Sequence, residues 1–339
     1  MIITRTPFRV SFFGGGSDYP AWYNRHGGVV LSTSIDKYCY VICRYLPPFF
    51  EYNYRIRYTK REETKTIDEI QHPSVRECLK FMDFYKNGVE IQHNSDLPAM
   101  SGLGSSSAFS VGLLHSLYAL KGKMIPKRQL AAEAILVEQE KIKECVGSQD
   151  QVAAAFGGLN KIIFNERQGF EVSPVIVYES KLIELQKHLM LFFTGFPRYA
   201  SVLAAEQIKN MVTNEKPLLK MMQLTDTAVD SLCSDNDGIE QFGKLLHESW
   251  LLKRSLTSQI TNNVIDQAYE AALNAGALGG KVLGAGGGGF MLIFARPEAH
   301  QKIREALKNL LYVPFRFEQL GSQIIFYSHD DYADSTGNL

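Results

Sequence analysis

The chain has 339 residues, 45% of them hydrophobic and 21% charged, with lysine plus arginine and aspartate plus glutamate equal at 36 each. That length suggests two domains, and the balanced charge supplies no net field toward nucleic acid or anionic lipid. Five scattered cysteines without a CxxC pair give no zinc site and fit a reducing compartment, and no apolar run approaches the ~20 residues of a membrane span, so a cytoplasmic protein is expected.

In chain order, residues 8–13 and 28–46 are rich in valine, isoleucine, phenylalanine and tyrosine and punctuated by glycine, which predicts strands. The polar tract 55–66 reads as a hairpin end or surface loop. Val75, Leu79, Met82 and Tyr85 recur at helical spacing over 73–86, and 89–93 predicts a strand. After a loop rich in glycine and serine, Phe109, Val111, Leu114, Leu117 and Tyr118 predict a helix to about 119. Gly122 and Pro126 end it, and a second helix follows over 127–143. A short helix at 149–156 stops at Gly157 and Gly158, and a strand covers 159–164. Beyond it come a strand at 189–194 and helices at 200–212, 215–233, 238–258 and 263–275. The glycine-rich stretch 276–289, a strand at 290–295, a helix at 297–311 and strands within 313–328 complete the order. The mixture predicts an α+β fold in two units, 1–183 and 184–339, rather than a doubly wound sheet. Residues from 330 onward are expected to fray.

The segment from Pro98 through Ser101, Gly102, Leu103 and Gly104 to Ser105, Ser106 and Ser107 carries the strongest chemical signal. Two glycines let backbone approach a ligand, and three serines supply hydroxyls, of which Ser105 or Ser106 can cap the helix that follows. The helix start adds unpaired amides and about half a positive charge, which together predict a phosphate site. An N-capped helix after a flexible loop explains one serine and one glycine, not all five residues. A nucleophilic serine lacks the GxSxG setting, and no glycine-lysine-serine or -threonine follows to make a Walker A loop. The run from Gly284 to Gly289 spells GxGxxG, but it follows a helix and precedes a strand, the reverse of a dinucleotide-binding unit. It reads instead as close approach to a ligand or to a neighbouring loop.

Three segments carry a family resemblance: RTPFRVSFFGGGSDY at 5–19, LPAMSGLGSSSA at 97–108 and KVLGAGGGGF at 281–290. In this order they resemble the GHMP kinases, the family of galactokinase, homoserine kinase, mevalonate kinase and phosphomevalonate kinase. The resemblance covers nearly the whole chain. It implies a ribosomal-protein-like N-terminal domain and a ferredoxin-like C-terminal domain, both α+β, with the active site between them. It also implies that Pro98 and the residues from Ser101 to Ser107 hold the phosphates of ATP, and that Ser106 and Glu138 ligate Mg²⁺, with Glu140 a competitor for the carboxylate. Asp150, within Gly147-Ser148-Gln149-Asp150-Gln151, would accept the proton of the attacking hydroxyl, and Arg9 would add positive charge near the transferring phosphoryl. On the residues alone, Glu138 is a charge on a solvated helix face, Asp150 a helix cap and Arg9 a surface arginine.

Galactokinase-like members carry an acidic residue and a histidine where this chain has Gly15 and Gly16, whereas Asp18 is kept. These residues and Ser17 would contact the sugar, joined by Gly286 and Gly287. Two glycines in place of bulky polar residues make room and remove negative charge, which suits a larger sugar already bearing a phosphate. The tract 194–203, taken with 14–19 and 147–151, resembles the bacterial branch of the family that phosphorylates D-glycero-α-D-manno-heptose 7-phosphate at its anomeric hydroxyl. Arg198 would then pair with the distal phosphate, with Lys37 and Arg44 as competitors. The alternatives are a member acting on an unphosphorylated sugar such as fucose and a catalytically inactive, sugar-kinase-like regulator. The expected partners are a small-molecule sugar phosphate, ATP and Mg²⁺, without nucleic acid or membrane, in a monomer or homodimer.

Overall fold

The computed structural model describes residues 1–99, 101–195, 200–210, 214–234 and 238–328. Arg198 lies outside the described residues, as does the segment expected to fray. β1 (Ile2–Phe13) and β2 (Gly28–Tyr45) pair antiparallel, with α1 (Pro20–His26) carried in their connection. From Thr6 to Phe13 every residue of β1 is buried. The strand is covered on both faces, so Thr6, Arg9 and Ser11 are buried along with its apolar residues. The polar tract forms a hairpin of β3 (Tyr54–Arg57) and β4 (Arg61–Thr64). α2 (Pro73–Phe81), β5 (Val89–Ser95), α3 (Ser105–Leu120) and α4 (Lys127–Leu136) then follow in the order the periodicity predicts.

The second predicted helix does not stay α-helical. Beyond α4 it continues as a π-helical turn, Val137–Ile142, which holds Glu138. Such turns widen the helix locally and occur often at functional positions. α5 (Gln149–Phe156) and β6 (Leu159–Asn165) match expectation, whereas β7 (Gly169–Pro174), α6 (Glu179–Lys187) and α1 were not foreseen. Each buries a single fully covered side chain, Phe170, Leu185 and Trp22 respectively, so no period could emerge.

The rest of the chain comprises β8 (Leu189–Gly195), α7 (Ala200–Lys209), α8 (Glu215–Cys233), α9 (Gly238–Ser255), α10 (Asn263–Asn274), β9 (Ala277–Val282), β10 (Gly289–Ala295), α11 (His300–Ala306), β11 (Leu311–Tyr312), β12 (Phe317–Glu318) and β13 (Gln323–Tyr327). β9 lies inside the stretch read as a glycine-rich connection. A Cβ on Gly279 would stand 2.2 Å from the carbonyl oxygen of Gly243 in α9, and one on Gly280 2.4 Å from that of Leu292 in β10. These glycines mark a strand squeezed between a helix and its neighbour, not a turn.

Two sheets result. The first runs β13-β1-β2-β5-β3-β4, with β12 and β6 also on β2 and β7 on β6; the second is β11-β8-β10-β9. The C-terminal strands β12 and β13 thus return to the first sheet. Phe242 of α9 packs edge-on against Phe12 and Phe13 at the end of β1, with ring centroids 5.3 and 5.1 Å away, and joins the two halves. α3 is buried nearly all round, and Gly112 lets it approach β1, where Thr4 Oγ1 donates to the Gly112 carbonyl at 3.0 Å. Among the described residues no helix is long and apolar enough to cross a membrane.

Candidate active site

The end of β1 delivers Arg9 to the start of two helices. Its Nε and Nη2 donate to Asp150 Oδ1 and Oδ2 at 2.8 and 2.9 Å, and its Nη1 donates to the Gly102 carbonyl at 2.8 Å. Its backbone N–H donates to the Leu103 carbonyl at 3.1 Å. The Arg9 side chain is 5% exposed and that of Asp150 25%, so the carboxylate keeps an open side while the guanidinium is enclosed. One residue therefore fastens the expected phosphate loop to the expected base. The planar fork of the guanidinium holds both carboxylate oxygens of Asp150 while a third N–H reaches the loop, a geometry that the single nitrogen of lysine does not reproduce.

The loop itself is built differently from the expected serine cap. Gly104, at φ 76°, occupies the cap of α3, and no side chain caps the helix. Left-handed backbone at Gly102 and Gly104 turns the chain sharply into the helix, so its first-turn amides lie beside the glycines. Ser101 is buried and donates to the Pro98 carbonyl at 2.8 Å, and Leu103 is fully buried. These two side chains, and Pro98 through its carbonyl, brace the loop. Ser105, Ser106 and Ser107 open the helix, with Ser106 exposed and Ser107 buried.

The glycine run between β9 and β10 lies directly beneath this loop. A Cβ on Gly102 would stand 2.5 Å from the Leu283 carbonyl oxygen, and one on Gly289 2.4 Å from that of Ser101. The Phe290 amide donates to the Ser101 carbonyl at 3.2 Å. Gly286 and Gly287 were expected to touch the sugar. Instead Gly286 is pressed against Ile260, and the Gly287 amide donates to the Ile260 carbonyl at 2.8 Å. Ser17 is also committed to the fold: its hydroxyl lies 2.8 Å from the Gly14 carbonyl and 3.0 Å from that of Val29.

Asp18 lies against the start of α5, where its backbone carbonyl accepts from the Ser148 amide at 2.9 Å. It is 2% exposed, accepts from the Gly16 amide at 2.9 Å through Oδ1, and from the Gln149 amide at 3.3 Å through Oδ2. Burial pushes its carboxyl up, the Gly16 amide pulls it down, and the charge of Asp150 adds to the rise. Two buried lysines escaped the sequence reading. Lys253 of α9 donates to the carbonyls of Gly284 at 2.5 Å and Val282 at 3.3 Å, and Lys281 of β9 donates to the Phe12 carbonyl at 2.8 Å. Burial depresses both, Lys253 to about 8, with Arg9 adding repulsion and Asp18 opposing it. A signal was present: Leu246, Trp250 and Lys253 share helical spacing on a buried face, and Lys281 interrupts an apolar strand. Arg9 pairs with Asp150, and Lys253 and Lys281 lie close enough to Asp18 to feel its charge.

Glu138, fully buried, was expected to ligate Mg²⁺ together with Ser106. Ser107, not Ser106, donates to its Oε2 at 2.8 Å, and Gln151 Nε2 donates to the same oxygen at 2.5 Å. Oε1 has no hydrogen-bond partner among the described residues. Burial pushes this carboxyl up to about 7, against the neighbouring hydroxyls and Gln151. An unpaired carboxylate oxygen beside serine hydroxyls is a hard, all-oxygen donor set that fits Mg²⁺. Glu140 is exposed.

A glycine loop at a helix start, tied through an arginine to an aspartate close to a second, buried aspartate, defines a phosphotransferase acting on a small hydroxylated molecule. The chain belongs to the GHMP kinases: the GHMP kinases N terminal domain matches residues 73–158 and the GHMP kinases C terminal domain residues 229–313. It is an ATP-dependent sugar kinase of that family. It is 28% identical to the D-glycero-alpha-D-manno-heptose 7-phosphate kinase of Campylobacter jejuni, with 91% of this chain and 93% of that one aligned. It is 25% identical to the L-fucokinase/L-fucose-1-P guanylyltransferase of Bacteroides fragilis, over 89% of this chain and 35% of the relative. Its fold matches the crystal structure of a D-glycero-D-manno-heptose 1-phosphate kinase from Bacteroides thetaiotaomicron, with a TM-score of 0.78, 22% identity and coverage of 97% and 100%.

Proposed function

We propose that this kinase transfers the γ-phosphoryl group of ATP to the anomeric hydroxyl of D-glycero-α-D-manno-heptose 7-phosphate, giving the 1,7-bisphosphate. Its place would be the making of nucleotide-activated heptose for capsule or surface polysaccharide. The observation that carries the reading is the Arg9 bridge, which sets Asp150 against Gly102 of the phosphate loop. Asp150 accepts the hydroxyl proton, Arg9 and the amides of the α3 first turn stabilise charge on the transferring group, and Asp18 orients the sugar. Mg²⁺, held by Glu138 and Ser106 with Ser107 steadying the other carboxylate oxygen, would neutralise phosphate charge. Gly15 and Gly16 make room for the larger sugar, and Arg198 is assigned to its distal phosphate. The similarity to the Campylobacter jejuni kinase supports the heptose.

Turnover with Mg-ATP is measured on D-glycero-D-manno-heptose 7-phosphate beside fucose, galactose and mannose 6-phosphate. The heptose phosphate is expected to be preferred, and Asp150→Asn to remain folded while losing roughly 10²–10⁴-fold in kcat. Preference for fucose would remove the heptose assignment, and full activity of Asp150→Asn would remove the base.

A further inference from the structure

Three consecutive glycines precede Ser17, and the fold requires only two of them. Gly14, at φ 78°, is pressed so close that a Cβ would stand 1.8 Å from the Val29 carbonyl oxygen, and Gly16 has φ 108°. Gly15 has neither constraint. Its backbone lies outside the left-handed region, and a Cβ there would meet only Gln149 Nε2 and Ser11 Oγ, each at an ordinary 3.7 Å. A glycine that neither conformation nor packing demands leaves space for something else.

The walls of that space are polar, formed by Ser11 Oγ and Gln149 Nε2, and each of these two residues carries an unpaired atom. Ser11 is 5% exposed and Gln149 8%. Ser11 Oγ and Gln149 Oε1 are both buried and have no hydrogen-bond partner among the described residues. Buried polar groups are normally paired, because leaving one unpaired forfeits its hydration without return. Gln149 is also fixed in place: its amide donates to Asp18 Oδ2, and the next residue is Asp150. The two unpaired groups therefore stand at the sugar end of the site, beside the carboxyl that faces the sugar and the one that faces its reacting hydroxyl.

We propose that Ser11 and Gln149 form a hydroxyl-recognition pair for the sugar, with the absent side chain of Gly15 leaving the space that a hydroxyl-bearing carbon of the substrate enters. This rests on the sugar-kinase reading and deepens it by naming specificity-determining residues. Gln149 offers its unpaired Oε1 as an acceptor, and Ser11 a rotating hydroxyl, so the pair matches a hydroxyl-bearing polyol rather than an anion. A site built to pair a substrate hydroxyl also discriminates against sugars that lack it, because the pair is then left empty.

The test uses Gly15→Ala, which backbone and packing tolerate, together with Gln149→Leu and Ser11→Ala. The wild type is first run on the sugar panel, and whichever sugar it uses best becomes the probe. A failure of the heptose assignment is thereby seen separately. Gly15→Ala and Gln149→Leu are each expected to raise KM for that sugar roughly tenfold, leave KM for ATP within about twofold, and flatten the preference across the panel. Thermal melting of Gly15→Ala should match the wild type. Unchanged sugar KM and unchanged preference in a folded Gly15→Ala and a folded Gln149→Leu would overturn the proposal.

Discussion

Gly102 and Gly284 meet with no side chain between them: a Cβ added to Gly284 would stand 2.5 Å from the Cα of Gly102. The contact joins the phosphate loop to the β9–β10 connection, and Lys253 holds that connection by its hydrogen bond to the Gly284 carbonyl. The phosphate loop is thus shaped by a segment roughly 180 residues away in sequence, with Arg9 on its other flank.

Gly102→Ala places a methyl group against Leu283 and strains a positive φ, whereas Gly122, also at positive φ, has open space around it. Gly122→Ala is expected to cost only the backbone strain, about 1 kcal/mol. Gly102→Ala is expected to cost at least ~2 kcal/mol and to raise KM for ATP. Thermal melting and steady-state kinetics on the pair check this; equal effects would show that the loop contact does not shape the phosphate site.

Gly147 leaves room for Asp18, since a Cβ there would stand 1.9 Å from Asp18 Oδ2. Gly147→Ala must move that carboxylate or the start of α5. It should therefore share the phenotype of Asp18→Ala, a rise in sugar KM on the order of tenfold or more with KM for ATP little changed. A Gly147→Ala variant with wild-type sugar KM would exclude Asp18 as a sugar ligand in its present position.

Lys253 sheds its proton near pH 8 in the native state and near its ordinary 10.5 when unfolded. Between those values the unfolded chain binds more protons, so the contribution of this group to stability rises with pH. Below about pH 8 the cost of burying the charge is fully present. Relative to wild type, Lys253→Met should gain most below pH 8 and lose about 3 kcal/mol of that advantage by pH 10.5. The lost hydrogen bonds to Gly284 and Val282 add an offset that does not vary with pH. Denaturant unfolding of both proteins across this range measures the difference; a constant gap would mean that Lys253 is not held uncharged.

Many of the local elements, and part of their chemistry, were legible in the sequence alone. β1, β2, α3 and α5 declare themselves through runs and periods of apolar residues, and the glycine-serine loop marks a helix start suited to phosphate. Tertiary structure decided everything that depends on distant segments meeting. Gly14 to Gly16 read as one run, yet only packing separates the two glycines the fold requires from Gly15. Ser17 looked like a ligand and turned inward, because its hydroxyl is needed between Gly14 and Val29. Gly286 and Gly287, expected to touch the sugar, are held against Ile260 by packing and a backbone hydrogen bond. Lys253 and Lys281 acquire meaning only when α9 and β9 carry them toward Arg9 and Asp18. Local periodicity reports which face of an element is buried; it carries no information about what that face is buried against.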